Sequence, residues 1–194
     1  MLDKLLQGVE VRSLVGDGTV AVGRLEFDSR KVVPGTLFFA TRGTQADGHA
    51  YIPAAVAAGA AAVVCEELPA ERPVGVTFVQ VPDSTVALGQ VASAFYGHPS
   101  RRLKLVGVTG TNGKTTTATL LYRMFRRLGY KAGLISTVVY CVDDREIPST
   151  HTTPDSIRLN AMMAEMVEAG CDYCFMEVSS HSLVQHRTAG LAFV

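Results

Sequence analysis

The chain has 194 residues, 47% of them hydrophobic, which is enough for one large or two small domains with buried cores. Lysine plus arginine and aspartate plus glutamate stand at 18 each, so no net field recommends nucleic acid or an anionic membrane as a partner. Met1-Leu2-Asp3-Lys4 lacks the pattern expected of a secretory signal, and the most apolar stretch, residues 52–65, is alanine-rich, as expected of a buried helix and strand rather than a membrane span.

In chain order, the spacing predicts a strand over residues 35–40, an alanine-rich helix over 51–59 stopped by Gly59, and strands over 61–65 and 77–81. A helix over 84–96 follows, carrying Val86, Leu88, Val91, Ala92 and Phe95. Gly97-His98-Pro99-Ser100 and two arginines then read as a linker, which sets expected domains at 1–99 and 100–194. The first is a small α/β unit.

Beyond the linker, residues 103–108 form an apolar run of the kind buried on both faces of a parallel sheet. The helix over 115–128 is expected to pack Leu120, Leu121, Met124, Phe125 and Leu128 on one stripe, with Arg123, Arg126 and Arg127 opposite, and to stop at Gly129. A second strand is expected over 132–139 and a polar, irregular segment over 143–151. Thr153 then reads as an N-cap with Pro154 at the first helical position, opening a helix to about residue 169, followed by a strand over 173–178. Strands alternating with helices imply right-handed crossovers and a parallel sheet with its ligand at the strand C-terminal ends. Four cysteines, Cys65, Cys141, Cys171 and Cys174, lie in apolar surroundings, which suits a reducing cytosol. Cys171 and Cys174 form a C-x-x-C without a second pair; on a strand they would point to opposite faces, so buried thiols are expected.

The chemistry concentrates where the first strand of the second block meets its helix. Gly110-Thr111-Asn112-Gly113-Lys114-Thr115-Thr116 is a glycine turn opening a helix, which turns successive N–H groups toward the oxygens of a nucleotide. Lys114 would reach the β/γ-phosphates and Thr115 would place a hydroxyl on Mg²⁺, although Val108 stands where the strict phosphate-loop pattern has its first glycine. Glu177, at the tip of the last apolar strand, is expected beside that loop as a second Mg²⁺ ligand.

Gly110-Thr-Asn-Gly-Lys-Thr-Thr116 together with Met176-Glu-Val-Ser-Ser-His181 resembles the ATP-dependent Mur ligases of peptidoglycan synthesis. The likeness runs through Asp28-Ser-Arg30, Asp47-Gly-His49, His151-Thr-Thr-Pro-Asp155 and Gln185-His-Arg187, and is closest to the branch that adds the third residue of the peptide. The branch acting one step later shares the N-terminal elements and is the alternative. The resemblance implies an α/β chain with a small UDP-sugar-binding domain followed by the first half of a phosphate-loop, parallel-sheet ATP-binding domain. It assigns Phe27, Ser29, Thr44, Gln45 and Ala46 to the nucleotide-sugar, with Arg30 or Arg42 able to supply charge. It assigns His151, Thr152, Thr153, Ser179, Gln185 and Arg187 to the muramoyl-peptide portion, Arg187 because a planar guanidinium suits a carboxylate or phosphate. His49 and His98 are expected to be structural, and His181 and His186 have no evident catalytic duty.

The implied reaction uses ATP and Mg²⁺. The free carboxylate of UDP-MurNAc-L-Ala-D-Glu attacks the γ-phosphate, and the acyl phosphate is captured by the amine of a diamino acid, with Lys114 and Glu177 as the catalytic residues in this chain. In the family the ATP-binding domain continues and supplies a carbamylated lysine and an Asp-His metal segment. The chain is therefore expected to be an N-terminal portion that does not turn over alone, with residues 190–194 entering a further strand. A phosphate-loop kinase or nucleotidase and a non-catalytic UDP-muramyl-peptide sensor are the competing readings. The acceptor amino acid and the oligomeric state are not legible in the residues.

Overall fold

Short apolar runs become strands covered on both faces, and in the computed structural model, which describes residues 1–43, 46–149 and 151–194, they build two five-stranded sheets. One sheet lies in each of two units, Met1–Val91 and Ala92–Val194.

The first unit holds α1 (Leu2–Leu5), β1 (Ser13–Val15), β2 (Arg24–Glu26), β3 (Thr36–Phe39), α2 (Ile52–Ala57), β4 (Ala60–Cys65) and β5 (Thr77–Gln80). Its sheet order is β1-β5-β4-β3-β2, parallel from β5 to β2, with β1 added antiparallel at the edge. Phe38, Val63 and Phe78 on the sheet bury against Val32, Ile52 and Ala55. The edge strands β1 and β2 are three residues each, too short to show a period in sequence. Gly48 is demanded by packing, because a Cβ there would sit 2.6 Å from the Thr41 carbonyl oxygen. The helix α3 (Ser84–Phe95) crosses the division between the units, and the Asp83 carboxylate caps it by accepting from the N–H groups of Thr85 and Val86.

The second unit contains β6 (Lys104–Val108), α4 (Lys114–Arg127), β7 (Ala132–Ile135), β8 (Val139–Val142), β9 (Arg145–Pro148), α5 (Ser156–Glu168), β10 (Tyr173–Glu177) and α6 (Ser180–Val184). The order is β6-β10-β7-β8-β9, with β6, β10 and β7 parallel. Two cores flank this sheet. One packs Leu105, Tyr140, Leu159, Met163 and Met176, with α5; the other packs Ala118, Leu134 and Phe175 against the half-buried Leu121, Tyr122 and Phe125 of α4.

Several expectations are corrected. The sheet is only partly parallel, because the run expected as one strand over 132–139 breaks after Ile135 and returns as β8, antiparallel to β7. Ser136 makes that break. Its hydroxyl accepts from the N–H groups of Val138 and Val139, closing a turn that competes with strand continuation. The segment expected to be irregular contains β9, which completes a hairpin with β8. Its turn is held by Arg126 of α4, which ion-pairs with Asp143 and Asp144, while the Tyr122 hydroxyl donates to the Asp143 carbonyl at 2.8 Å.

The α4 stripe is also different. Leu120, Met124 and Leu128 remain 60%, 48% and 65% exposed, because Ala118, Leu121, Tyr122 and Phe125 are the positions turned to the sheet. On α5 the N-cap is Asp155, whose carboxylate accepts from the Arg158 N–H, and Pro154 precedes the cap. Thr153 is drawn away from capping, because its hydroxyl donates to the Glu177 carbonyl and its oxygen accepts from the Ser179 N–H. Cys171 lies before β10 begins, so it shares a core with Cys174 instead of facing away from it, and both are buried free thiols. Residues 190–194 are not a strand, yet the Val194 N–H donates to the Leu105 carbonyl at 3.0 Å, laying the end of this segment along β6. Among the described residues, no helix is long and apolar enough to cross a membrane.

Candidate functional site

The register between β6 and β10 pairs Val108 with Glu177, so the loop after one strand and the acid ending the other emerge side by side. Gly110 and Gly113 both take positive φ, 143° and 80°, which L side chains rarely adopt; Gly113 is the left-handed cap from which α4 starts. The loop encloses one side of a cavity of about 710 Å³ lined by Thr109, residues 110–115, Thr137, Thr152, Glu177, Ser179, Ser180 and His181.

Lys114 Nζ folds back onto the Gly110 carbonyl at 2.8 Å, which parks an ammonium over the loop where phosphate oxygens would compete for it. Glu177 is buried, with 1% of its surface exposed, and a buried carboxylate must be satisfied by donors. Thr115 Oγ1 donates to Oε2 at 3.0 Å, the Thr137 N–H donates to Oε1 at 2.8 Å, and the Thr137 hydroxyl lies 3.2 Å from Oε2. Among the described residues no cluster of three or more His, Cys, Asp or Glu forms a metal cage. One carboxylate and one hydroxyl beside a phosphate loop nevertheless suit Mg²⁺, a hard ion that keeps waters and takes most remaining ligands from phosphate. Thr115 and Glu177 are the residues that would hold it.

The loop preceding α5 approaches the same cavity. Tyr140, fully buried in β8, donates its hydroxyl to the His151 carbonyl and accepts from the His151 N–H, which fixes the chain just ahead of Thr152 and Thr153. Thr152 reaches Thr137, hydroxyl to hydroxyl at 3.1 Å, and Thr153 Oγ1 accepts from the Ser179 N–H at 3.3 Å. Thr137 and Tyr140 were not singled out from sequence. The Ser136-Thr137 pair interrupting an apolar run was the available signal for a turn there.

The other expected residues are distributed as follows. Ser179 caps α6 with its hydroxyl, accepting from the Ser182 N–H at 3.1 Å. Arg187 donates to the Thr153 carbonyl at 2.6 Å and to Gln185 Oε1 at 2.9 Å, so both side chains are engaged within the protein at the base of the 151–153 loop. In the first unit Phe27 is exposed, and Ser29 begins a 3-10 turn capped by Asp28. Arg30 chelates Asp28 with two hydrogen bonds, holding that carboxyl down at about 2, and Arg42 is shared among Asp47, Glu66 and Glu67. Neither arginine is left without an acid. Ala46 accepts from the Gly43 N–H; Thr44 and Gln45 lie outside the described residues. His49 is structural: Nδ1 lies 2.6 Å from Asp47 and Nε2 accepts from the Glu66 N–H at 2.9 Å. His98 takes a left-handed conformation before a 3-10 turn, its Nδ1 3.2 Å from Ser93 Oγ. His181 is exposed on the cavity rim.

A family model for the Mur ligase middle domain matches residues 108–194, and one described as the Mur ligase family catalytic domain matches residues 22–96. The chain is 53% identical over 193 residues to the UDP-N-acetylmuramoyl-L-alanyl-D-glutamate–2,6-diaminopimelate ligase of Bacteroides thetaiotaomicron, covering 100% of this chain and 40% of that protein. It is 57% identical over 190 residues to the ligase of the same name from Cytophaga hutchinsonii, covering 97% and 39%. The chain thus spans about two fifths of the length of these relatives. A solved structure of a ligase of that name superposes with a TM-score of 0.72 at 26% identity, over 89% of this chain and 35% of that one. MurF from Acinetobacter baumannii shares the fold, with a TM-score of 0.65 at 21% identity over 93% and 36%. With Mur ligase domain models matching residues 22–96 and 108–194, the chain belongs to the Mur ligases.

Proposed function

We propose that this protein serves an ATP-dependent amide ligation in which the terminal carboxylate of UDP-MurNAc-L-Ala-D-Glu is activated as an acyl phosphate and captured by an amine of a diamino acid. The observation that carries the reading is the buried Glu177 carboxylate hydrogen-bonded to Thr115, the second residue of the helix that the phosphate loop opens. The names of the relatives supply the nucleotide-sugar dipeptide and 2,6-diaminopimelate as the pair to test first.

Each residue has a physical task in this reading. The N–H groups around residues 110–115 orient the triphosphate, and Lys114 leaves the Gly110 carbonyl to neutralise charge growing on the transferring phosphoryl group. Magnesium, when bound, would supply Lewis-acid stabilisation of negative charge on the phosphates, and Thr115 and Glu177 are the residues that would hold it. Thr152 and Ser179 on the cavity wall present polar groups to the muramoyl-peptide portion, with His151 beside them, while Thr153, which is buried, and Gln185 and Arg187 brace them from behind. Phe27, Ser29, Thr44, Gln45 and Ala46 receive the uridine diphosphate end.

Calorimetric titration of a non-hydrolysable ATP analogue, with magnesium and with EDTA, tests the site. Magnesium-dependent binding that Lys114→Ala abolishes supports it, and an equal heat in both variants overturns it. Titration with UDP-MurNAc-L-Ala-D-Glu separates a ligase from a kinase, which has no use for that molecule. Phosphate release by a chain extended to the length of the relatives, compared between meso-diaminopimelate and L-lysine, identifies the acceptor.

A further inference from the structure

Both oxygens of the buried Glu177 are approached by Thr137, a residue outside the phosphate loop. Its N–H donates to Oε1 at 2.8 Å, and its hydroxyl stands 3.2 Å from Oε2 and 3.1 Å from Thr152 Oγ1. A hydroxyl has one proton. With that proton on the carboxylate, Thr152 must donate to Thr137, giving a directed chain from Thr152 through Thr137 to Glu177. The turn presenting Thr137 is preformed: Ser136 accepts from the N–H groups of Val138 and Val139, and Ser149 Oγ donates to the Ser136 carbonyl at 3.0 Å.

We propose that Thr137 is the positioning residue of this site, holding the Glu177 carboxylate so that Oε2 faces the phosphate loop and coupling it through Thr152 to the loop before α5. The inference rests on the nucleotide-site reading above. The alternative arrangement, with Thr115 alone orienting the acid, fails when Thr115 turns its oxygen to a cation: Oε2 then loses a donor just when its aim matters. Thr137 remains, because its N–H and hydroxyl come from the turn between β7 and β8, which is not part of α4.

The test compares wild type, Thr137→Val and Thr137→Ser in the 194-residue chain, titrated with a non-hydrolysable ATP analogue under saturating magnesium and under EDTA. Valine keeps the shape and the N–H and removes only the hydroxyl. The expected result is that Thr137→Val weakens binding about tenfold with magnesium, the size of one hydrogen bond to a charged group, leaves the EDTA value unchanged, and that serine restores the wild-type value. Equal magnesium-dependent affinity in all three overturns the proposal, as does a loss of the same size in EDTA, which marks general disruption. Absence of any magnesium-dependent binding in wild type instead sinks the underlying nucleotide-site reading. A thermal melt of each variant, expected to be near wild type, identifies misfolding.

Discussion

Thr115 and Glu177 are 62 positions apart in sequence and joined by a 3.0 Å hydrogen bond, which ties the first turn of α4 to the tip of β10 across the mouth of the phosphate loop. The contact exists because β10 inserts between β6 and β7, so the sheet order, and not the chain order, makes the acid a neighbour of the loop.

In a chain of the relatives' length, Lys114→Ala is expected to lower turnover by at least about 10²-fold, the usual cost of one electrostatic donor to a transition state. A steady-state assay of phosphate release measures it. An undiminished rate removes Lys114 from the chemistry.

Tyr140→Phe deletes a buried hydroxyl that serves both the N–H and the C=O of His151. The expected destabilisation is about 1 kcal/mol, the net worth of an ordinary hydrogen bond, because Ser149 Oγ still lies 3.2 Å from the His151 carbonyl. Chemical denaturation followed by circular dichroism reads it out, and an unchanged midpoint would show that water replaces the hydroxyl freely.

All four thiols are buried, and burial pushes each of them up from its ordinary range, Cys65 to about 11 from 9.0. A raised thiol favours the protonated fold, so this contribution is complete below pH 9.0 and declines as pH rises toward about 11. The native protein at pH 8 should be silent to a thiol-specific chromogenic disulfide and release four equivalents in guanidinium. Rapid native labelling of any cysteine would contradict the burial.

His49→Ala should destabilise the first unit by about 1–2 kcal/mol, since Nε2 is the acceptor for the Glu66 N–H and Nδ1–H has the Asp47 carboxylate. This hydrogen-bonding pattern requires the neutral ring with its proton on Nδ1. Thermal melts of the variant and wild type decide it; identical curves would make the dyad ornamental.

Sequence was most informative where one local cause suffices. Gly110 and Gly113 flanking Asn112 before an amphipathic run specify a turn that only small residues allow, and the structure has positive φ at both. The runs at β3, β4 and β10 announce buried strands because nearly every position is covered, whereas β6, at the edge of its sheet, leaves Lys104 and Gly107 exposed. Glu177 stood out because an acid at the end of such a run needs a partner.

What the residues in order could not express was decided by groups meeting across the fold. The chain turns after Ile135 because the Ser136 hydroxyl captures backbone N–H groups and β8 finds a free edge on β7, and no period in the run announces that competition. Thr153 yields the cap of α5 to Asp155 because the Glu177 carbonyl takes its proton and the Ser179 N–H takes its oxygen. Leu120, Met124 and Leu128 share helical spacing with Leu121 and Phe125 but stay exposed, since the sheet covers only one side of α4. Propensity and periodicity are carried by neighbours along the chain, whereas the ownership of a hydrogen bond or a covered face is settled by whichever distant group arrives.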